Sequence, residues 1–502
     1  MRIASLRGTG RAPLAAGVLL ALAGCRNARD PALDRGATVV VAVEDVGAMK
    51  PDAKLDFLTF LSLATLDEHG ELAGRLARSW EHSADFKEWT YHLRTDVRWD
   101  DGKPVTARDV KFTLDLLAKA GTGYTGINAT IVDDSTVRIR AANQHYVDDI
   151  VYYPEHLLAA LDPAKFWEWN FWTQPVGNGP FRFVRYLPER LIEFEANPRY
   201  YKGKPRIQRV IAKFVGKAGM TELLSGNADI VQGEPGQIPR IASDPRFRIH
   251  NNVVPPAFSI YWKADHPLFR DSRVRRALTL AIDRRELLRF VNLPPDAPIT
   301  DAVLTYRQLR RREWPKPLPY DTARARMLLA AAGWAERNGD GVLEKDGRPF
   351  RFTASVGSGL DRDKLAVYVQ AQLRRVGVQM HIQMVDAPVM WNKLRAGDFE
   401  AWMHVQQSGA LRRDFGSGNP LGYANAQAFE LTDRLQQTAD PEVEDRIYRE
   451  ISEIFLTDPP MVRLVPYSNN WFVHRRIRGL STPFHAQPDT YMEDLWVEDG
   501  KP

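Results

Sequence analysis

The sequence predicts a mixed α/β fold, and two parts of the chain carry this prediction. The β-branched run "TVVVAVED" at 38–45 predicts a strand. Between 350 and 386 the order is strand, helix, strand: "FRFTASV", then "DKLAVYVQAQLRRVG", which ends at Gly377, then "VQMHIQMV", which alternates with period two. Two strands joined through a helix of that length imply a parallel pair with a right-handed crossover.

Other stretches add elements of both kinds. "EWTYHLRTDVRW" at 88–99 alternates in the manner of a half-buried strand. Thr106 is the predicted N-cap of the next helix, and Asp109 completes a capping box. The apolar spacing of "DSRVRRALTLAIDRRELLRFV" at 271–291 predicts a helix, and "YDTARARMLLAAAGW" predicts another that stops at Gly333. We find no internal repeat of fixed period.

The N-terminal segment has the pattern of a lipoprotein leader. Arg2, Arg7 and Arg11 form a basic start, and "APLAAGVLLALAG" at 12–24 is too short for a membrane-spanning helix, which needs about 20 apolar residues. Cys25, the one cysteine of the chain, follows directly, and "LAGC" resembles the lipobox of bacterial lipoproteins. The alternative is an ordinary secretory signal with an incidental cysteine. We favour lipidation of Cys25, which would anchor the protein to a membrane, because the cysteine lies where the small-residue motif ends.

Composition limits the classes of protein to which this chain can belong. The 502 residues carry a formal net charge of +5, and removal of the three leader arginines brings this to about +2, so there is no basic footprint for nucleic acid. The length implies two or three domains, and a hydrophobic fraction of 44% is enough for large cores. A single cysteine excludes an internal disulfide.

The sequence lacks the common catalytic signatures: it has no HExxH, no GxSxG, no Walker-type phosphate loop and no GxGxxG that opens a helix. "ERNGDGVLEKDG" at 336–347 resembles a calcium loop, but Gly347 stands where a bidentate glutamate should close the site. We therefore favour a hairpin around Asp346-Gly347, and we expect neither a metal site nor a cofactor. The aromatic cluster "FWEWNFWT" at 166–173 predicts core packing, with the wall of a ligand cleft as the alternative.

Eight stretches in order resemble the family 5 extracellular solute-binding proteins, which are the peptide- and nickel-binding receptors of bacterial ABC importers. The strongest is "LARSWEHSADFKEWTYHLRTDVRWDDGKPVTARDVKFTLDLL", followed by "VGNGPFRFVRYLPERLIEFEANPRYYKGKPRIQRVIAKFV". The remaining six run from "LLSGNADIV" through "FRDSRVRRALTLAIDRRELL" to "LGYANAQAFELTDRL". Their shared order over nearly all of the chain after the leader makes the resemblance specific.

The resemblance implies a periplasmic-binding-protein-like fold. It has two α/β lobes with mixed sheets, a hinge between the lobes that closes them around the ligand, and an extra subdomain in the first lobe. The implied division is a leader at 1–24, the lipidated cysteine and linker at 25–37, lobe I at 38–67, the inserted subdomain at 68–175, lobe I again at 176–268, lobe II at 269–479 and a return to lobe I at 480–502.

The resemblance also implies ligand contacts from both lobes. In lobe I the loop after the first strand approaches the ligand in this family, which makes Val46, Gly47 and Met49 candidates, and Tyr124 in "GYTG" is another. The candidates in lobe II are Trp402, Gln406, Gln407, Arg412, Arg413, Asp414 and Tyr423. Trp402 has a core position as its alternative.

The sequence departs from the family pattern in lobe II. Relatives commonly carry a tryptophan seven residues after the phenylalanine of "GDF", with an acidic residue soon afterwards. Here Gln406 stands at that spacing from Phe399, and Asp414 comes late, after Arg412 and Arg413. If this loop faces the cleft, its amides and guanidinium groups suit carboxylate or amide ligands. The alternative is a solvated surface loop.

The predicted function is a substrate-binding lipoprotein that captures an oligopeptide or similar small polar solute and delivers it to the permease of an ABC importer. We expect a non-enzymatic monomer on the periplasmic or extracytoplasmic side, anchored through Cys25, with no nucleic-acid partner. Two alternatives stay open. One is a non-transporting scaffold or sensor that keeps the fold, which the altered 406–414 loop favours, and the other is an envelope hydrolase.

Overall fold

A computed structural model describes residues 35–43, 55–67, 72–120, 126–140, 150–304, 308, 315–337, 339–357, 362–406, 411–438, 440–480 and 492–498. The predicted leader and Cys25 lie outside these residues.

The described strands form five sheets. They are β1 (Thr38–Val43), β2 (Ala64–Leu66), β3 (Leu72–Gly74), β4 (Ala77–His82), β5 (Glu88–Leu93), β6 (Asn128–Asp133), β7 (Thr136–Arg140), β8 (Phe181–Leu187), β9 (Leu191–Ala196), β10 (Arg209–Phe214), β11 (Ile230–Gly233), β12 (Phe247–Trp262), β13 (Glu336–Arg337), β14 (Leu343–Lys345), β15 (Arg348–Pro349), β16 (Arg351–Gly357), β17 (Gln379–Val385), β18 (Ala401–Gln406), β19 (Met461–His474), β20 (Ile477–Arg478) and β21 (Trp496–Val497).

The described helices are α1 (Asp56–Thr59), α2 (Ala107–Lys119), α3 (Glu155–Leu158), α4 (Gly219–Leu224), α5 (Ile238–Ala242), α6 (Ser272–Leu280), α7 (Arg284–Phe290), α8 (Thr322–Ala331), α9 (Arg362–Arg374), α10 (Ala387–Ala396), α11 (Leu411–Phe415), α12 (Ala426–Leu435) and α13 (Pro441–Thr457). Short 3₁₀ turns join several of them.

One sheet of ten strands runs through both lobes in the order β17-β16-β18-β12-β19-β11-β1-β10-β9-β8. Its central strands β12 and β19 are antiparallel, from Phe247 opposite His474 to Tyr261 opposite Met461. On the lobe I side β19 pairs with β11, and on the lobe II side β12 pairs with β18. The expected two-lobe α/β fold is confirmed, and two long adjacent strands join its lobes.

Lobe II has a layer of helices on each face of the sheet. Helices α6 to α9 share one hydrophobic core with β16 and β17, and α10 to α13 share a second core on the opposite face. β16 and β17 are parallel, with Ala354 opposite Ile382, and α9 connects them. The predicted strand–helix–strand unit is therefore confirmed.

A separate antiparallel sheet, β4-β5-β7-β6, forms the core of a subdomain together with α2. The predicted capping box of α2 is present, because the Asp109 carboxylate accepts the Thr106 backbone N–H at 2.8 Å. Trp169 and Trp172 are buried in the same core, while Trp167 is exposed. The interpretation of the aromatic cluster as core packing holds for the two buried tryptophans. The domain boundaries given above stay predictions.

Two local predictions have different outcomes. The helix over 271–291 is wrong as one element, because the chain forms α6 and α7 with a break before Asp283. The Asp283 carboxylate accepts the Glu286 backbone N–H at 3.0 Å and so begins a new helix. The hairpin at 343–349 is confirmed: Asp346 and Gly347 have φ of 53° and 69°, as a type I′ turn requires.

Candidate functional site

Two strands, one from each lobe, end close to each other beside the adjacent strands β12 and β19. In lobe II, β18 ends at Gln406, which lies opposite Ala257 of β12, and Ala257 lies opposite Pro466 of β19. In lobe I, β11 ends at Gly233, opposite Asn470 of β19. Positions 466 and 470 are four steps apart along the strand, a rise of about 13 Å. Side chains near these strand ends therefore lie within reach of one region between the lobes.

Charged groups from both lobes act on one half-buried phenol in this region. Glu234 follows β11 directly, Tyr467 belongs to β19, and Arg362 begins α9. Burial and the negative charge of Glu234 raise the pKa of Tyr467, and the positive charge of Arg362 opposes the rise. Burial lowers the pKa of Arg362, against the attraction of Tyr467 and Glu234. An acidic side chain of lobe I and a basic side chain of lobe II are thus within electrostatic range of each other.

A glycine seats Arg362 against α10. A Cβ atom on Gly357, the last residue of β16, would lie only 2.7 Å from Nη1 of Arg362 and 3.0 Å from Sδ of Met390. Any larger residue at 357 would push the guanidinium away from the end of the strand. Gly357 therefore allows Arg362 to lie beside the helix that carries Trp391.

Three aromatic side chains form the wall of the region on the lobe II side. Trp402 and His404 lie two residues apart on β18 and share one face of the sheet, with their rings stacked at 5.2 Å and 12°. Trp391 of α10 meets both rings edge-on, at 5.6 Å from Trp402 and 5.2 Å from His404. Behind them, Tyr261 stacks on Trp402 at 5.1 Å. Trp402 is only 2% exposed, so it supports the wall from the core.

His404 is a neutral hydrogen-bonding group in this wall. Burial, together with the positive charges of Arg362 and Arg413, lowers the pKa of His404 to about 4. A neutral imidazole has one donor and one acceptor nitrogen. Its Nδ1 is buried and makes no hydrogen bond to the described residues.

An arginine–aspartate pair closes the same side. Arg413 Nε donates to Oδ1 of Asp414 at 2.6 Å, and its guanidinium lies over the ring of Trp391 at 5.5 Å. Asp414 is 1% exposed on its side chain, and burial raises its pKa against the opposing charge of Arg413. Its Oδ2 is buried and accepts no hydrogen bond from the described residues. The Arg413 side chain is 45% exposed, so its guanidinium contacts Asp414 on one side and is accessible to solvent on the other.

Two other predicted residues make different contacts. Arg412 pairs with Asp433 at 3.1 Å on the surface of α12. The Tyr423 hydroxyl donates to the carbonyl oxygen of Asp458 at 3.1 Å, and its ring packs against Phe415 in the lobe II core. Neither contact involves the wall formed by Trp391, Trp402 and His404.

The structure thus brings Trp402, Arg413 and Asp414 together near the end of β18, where Gln406 also lies. The ligand role of all these residues stays a prediction. The candidates that lie outside the described residues are Val46, Gly47, Met49, Tyr124 and Gln407, and the Gln406 side chain is likewise not described.

Four members of this group were not predicted from the sequence: Trp391, His404, Arg362 and Glu234. One signal was available for His404, because Trp402 and His404 alternate on a predicted strand and must share a face. The other three lie on elements that only the folded chain brings together. In the described part of the chain no group of three or more His, Cys, Asp or Glu side chains is arranged to hold a metal ion, and none of the described helices has the length and apolar character needed to cross a membrane.

Comparison with known proteins shows which family has this architecture. The family model described as bacterial extracellular solute-binding proteins, family 5 middle, matches residues 71–426. The oligopeptide-binding protein AppA of Bacillus subtilis is 25% identical over 481 residues, which covers 89% of this chain and 87% of AppA. The solved structure of AppA with a nonapeptide has a TM-score of 0.72 at 24% identity, and NikZ from Campylobacter jejuni with Ni(L-His) has 0.75 at 24%. Both superpositions cover 92% of this chain and 99% of the other. The chain belongs to the family 5 bacterial extracellular solute-binding proteins.

Proposed function

We propose that this protein captures an oligopeptide or a similar small polar solute between its lobes and delivers it to the permease of an ABC importer. The observation that carries the proposal is the convergence of Glu234 from lobe I with Arg362, His404 and Arg413 from lobe II at the crossing strands. The similarity to an oligopeptide-binding protein supports the same ligand class. The proposed role is binding without catalysis.

The chemistry of the lobe II wall favours particular ligand groups. Arg413 already neutralises Asp414, so this carboxylate is a poor partner for a ligand ammonium group. The guanidinium groups of Arg413 and Arg362 suit carboxylate and amide oxygens, and neutral His404 suits either side of an amide. The face of Trp391 offers apolar contact. We infer a ligand that presents carboxylate or amide oxygens to lobe II.

Ligand capture would work by closure about β12 and β19. A solute that contacts Glu234 in lobe I and the wall in lobe II stabilises the closed arrangement by its differential affinity for that state. Release to a permease then requires reopening. We also propose that the mature protein is a monomer held at the membrane by acylated Cys25, after removal of the leader.

The experiment that tests the function is identification of the natural ligand. The full chain, purified gently from its own membrane, is denatured, and any released solute is identified by mass spectrometry. We expect a reproducible peptide or other polar solute bearing carboxylate or amide groups. A protein that is empty as purified and stays empty after exposure to peptide and amino-acid pools would contradict the proposal.

The identified solute then tests the site through two matched arginines. Arg413→Gln keeps a hydrogen-bond donor for Asp414 but removes the charge, and we expect titration calorimetry to show affinity about 10–100-fold weaker. Arg412→Gln removes the neighbouring surface charge and should change affinity less than about twofold. Equal effects of the two substitutions would place the ligand elsewhere.

A further inference from the structure

The outer side of lobe II carries a strongly basic surface. Helices α7, α8 and α9 bury one side against the sheet and turn the other outward. Their exposed arginines, with the residue that follows α9, are Arg285, Arg289, Arg324, Arg326, Arg374 and Arg375. Exposed acidic groups on these helices are Glu286 and Asp363, and Glu286 already accepts the hydroxyl of Tyr368 at 2.8 Å. We call this surface the basic face.

Contacts between the helices make the basic face continuous. Arg326 Nη2 of α8 donates to the carbonyl oxygen of Arg375 at the end of α9, at 2.9 Å. Phe290 at the end of α7 packs against Tyr368 of α9, with ring centroids 5.4 Å apart. The arginines of all three helices therefore belong to one surface.

Large apolar side chains project from the same surface between the arginines. Met327 is 71% exposed, Val367 53%, Phe290 50% and Tyr320 43%. Met327 adjoins Arg326 on α8, and Val367 lies on the outward side of α9. Apolar side chains interspersed with arginines are the composition that favours the headgroup region of a bilayer.

The opposite helical layer of lobe II has no comparable excess of positive charge. Along α13, Glu444 and Asp445 are buried, and Glu442, Glu450 and Glu453 stand against Arg446 and Arg449 nearer the surface. Because the two layers lie on opposite faces of one sheet, an anionic surface would attract the basic face more strongly than the α13 side. The charge distribution therefore specifies an orientation as well as an attraction.

We propose that the basic face docks on the anionic headgroups of a lipid bilayer, a role distinct from ligand capture. The guanidinium groups would bind lipid phosphates, and the exposed apolar side chains would enter the interface between them. The predicted anchor makes a bilayer the nearest partner. Arg35 is held in lobe I by Asp229 at 3.2 Å, and the ten residues from Cys25 onward can extend at most about 35 Å. A body tethered on so short a chain meets its own membrane at high effective concentration.

The test compares two triple charge reversals in the full chain carrying Cys25→Ser, which removes the predicted acylation site. Arg289→Glu, Arg324→Glu and Arg374→Glu alter the basic face. Arg434→Glu, Arg446→Glu and Arg449→Glu, on α12 and α13, make the same change in total charge on the opposite layer.

Flotation with phosphatidylcholine vesicles, with and without about one third phosphatidylglycerol, measures binding at low and high salt. We expect the parent chain to prefer the anionic vesicles at low salt and to lose the preference in about 0.5 M salt. Reversal of the basic face should lower the partition coefficient at least about tenfold, and the control reversal should lower it less than about threefold. Hydrogen exchange on the parent chain should show lipid-dependent protection in residues 322–331 but not in 441–457.

Three results would overturn the proposal. Unchanged binding of the basic-face variant would exclude this surface, and equal loss in both variants would leave total charge as the only cause. Sedimentation in which the basic-face reversal abolishes self-association, without lipid-dependent protection of 322–331, would assign the face to a second copy of the chain. The hydrogen-exchange result needs no variant, so it decides the question even if a reversal disturbs folding.

Discussion

At the scale of single residues, His404 shows how packing sets the chemistry of the site. Its ring stacks on Trp402, meets the edge of Trp391 and lies near two guanidinium groups. This environment disfavours the imidazolium, so the ring stays a neutral donor and acceptor at neutral pH. Protonation would place a third positive charge beside Arg362 and Arg413, and the folded protein resists it.

We expect His404→Gln to flatten the acid dependence of stability between about pH 6.5 and pH 4. The folded pKa of His404 is about 4 against an ordinary value of 6.5, so the unfolded chain binds more protons in this window. The His404 contribution to stability is therefore present above pH 6.5 and is lost as the pH falls, by about 3 kcal/mol at pH 4.

Urea unfolding of both proteins at pH 4, 5, 6 and 7 measures this effect as a difference. The difference is needed because Asp100, whose pKa burial raises to about 6, titrates in the same window. Its folded state binds more protons than its unfolded state, so its contribution has the opposite sign. If the free energies of unfolding of the two proteins fall in parallel as the pH falls, protonation of His404 does not destabilise the folded state.

At the scale of elements, the carboxylate of Asp109 accepts two backbone hydrogen bonds at the start of α2. Oδ2 accepts the Thr106 backbone N–H at 2.8 Å and closes the capping box, while Oδ1 accepts the Glu155 backbone N–H at 2.9 Å and ties α3 to the start of α2. Asp109 is only 4% exposed, so removal of the carboxylate would leave both donors, which are partly buried, without their acceptor.

We expect Asp109→Ala to lower the free energy of unfolding by about 2–3 kcal/mol, because two partly buried N–H groups lose a charged acceptor. Urea unfolding, together with hydrogen exchange of 107–119, measures the loss. Asp115→Ala on the same helix is the control: its carboxylate is 43% exposed and pairs with Lys111 four residues earlier at 2.8 Å. That pair contributes about 0.5 kcal/mol or less. Similar losses in the two variants would contradict the assigned role of Asp109.

Elements whose signals are local could be predicted from the sequence. The Thr106–Asp109 capping box and the Asp346-Gly347 turn each need only a few neighbouring residues, and both are present. The break before Asp283 was missed because the apolar spacing continues across it, and the competing signal is the capping aspartate itself. Helix spacing alone cannot decide between a long helix and two short ones when an Asp stands in the middle.

The site is less predictable because it depends on tertiary contacts. Trp391 reaches His404 only through the packing of α10 on β18, and Glu234 approaches Arg362 only because β11 and β18 end near each other on the crossing strands. No local pattern encodes these distances. Arg413 and Asp414 were expected from the family resemblance, but their pairing with each other follows from burial that the sequence does not display.

At the scale of the whole molecule, the two lobes share a sheet and are joined through its two central strands. β12 passes from lobe I to lobe II and β19 passes back, and their register shifts between Val253 and Ala257, beside the end of β18. A bulge bends and twists a strand locally, so the irregularity lies where a hinge would bend. The charged groups of both lobes lie near this point. A ligand bound there would contact both lobes close to the strands that connect them.

We expect the natural ligand to lower the radius of gyration measured by small-angle X-ray scattering, because closure brings the lobes together around it. The same addition to Arg413→Gln, at a concentration that saturates the parent protein but not the variant, should leave most molecules in the open form. Arg412→Gln should close as the parent protein does. If calorimetry shows full binding while the scattering curve does not change, the solute is held by one lobe alone, and closure about β12 and β19 is not the mechanism of capture.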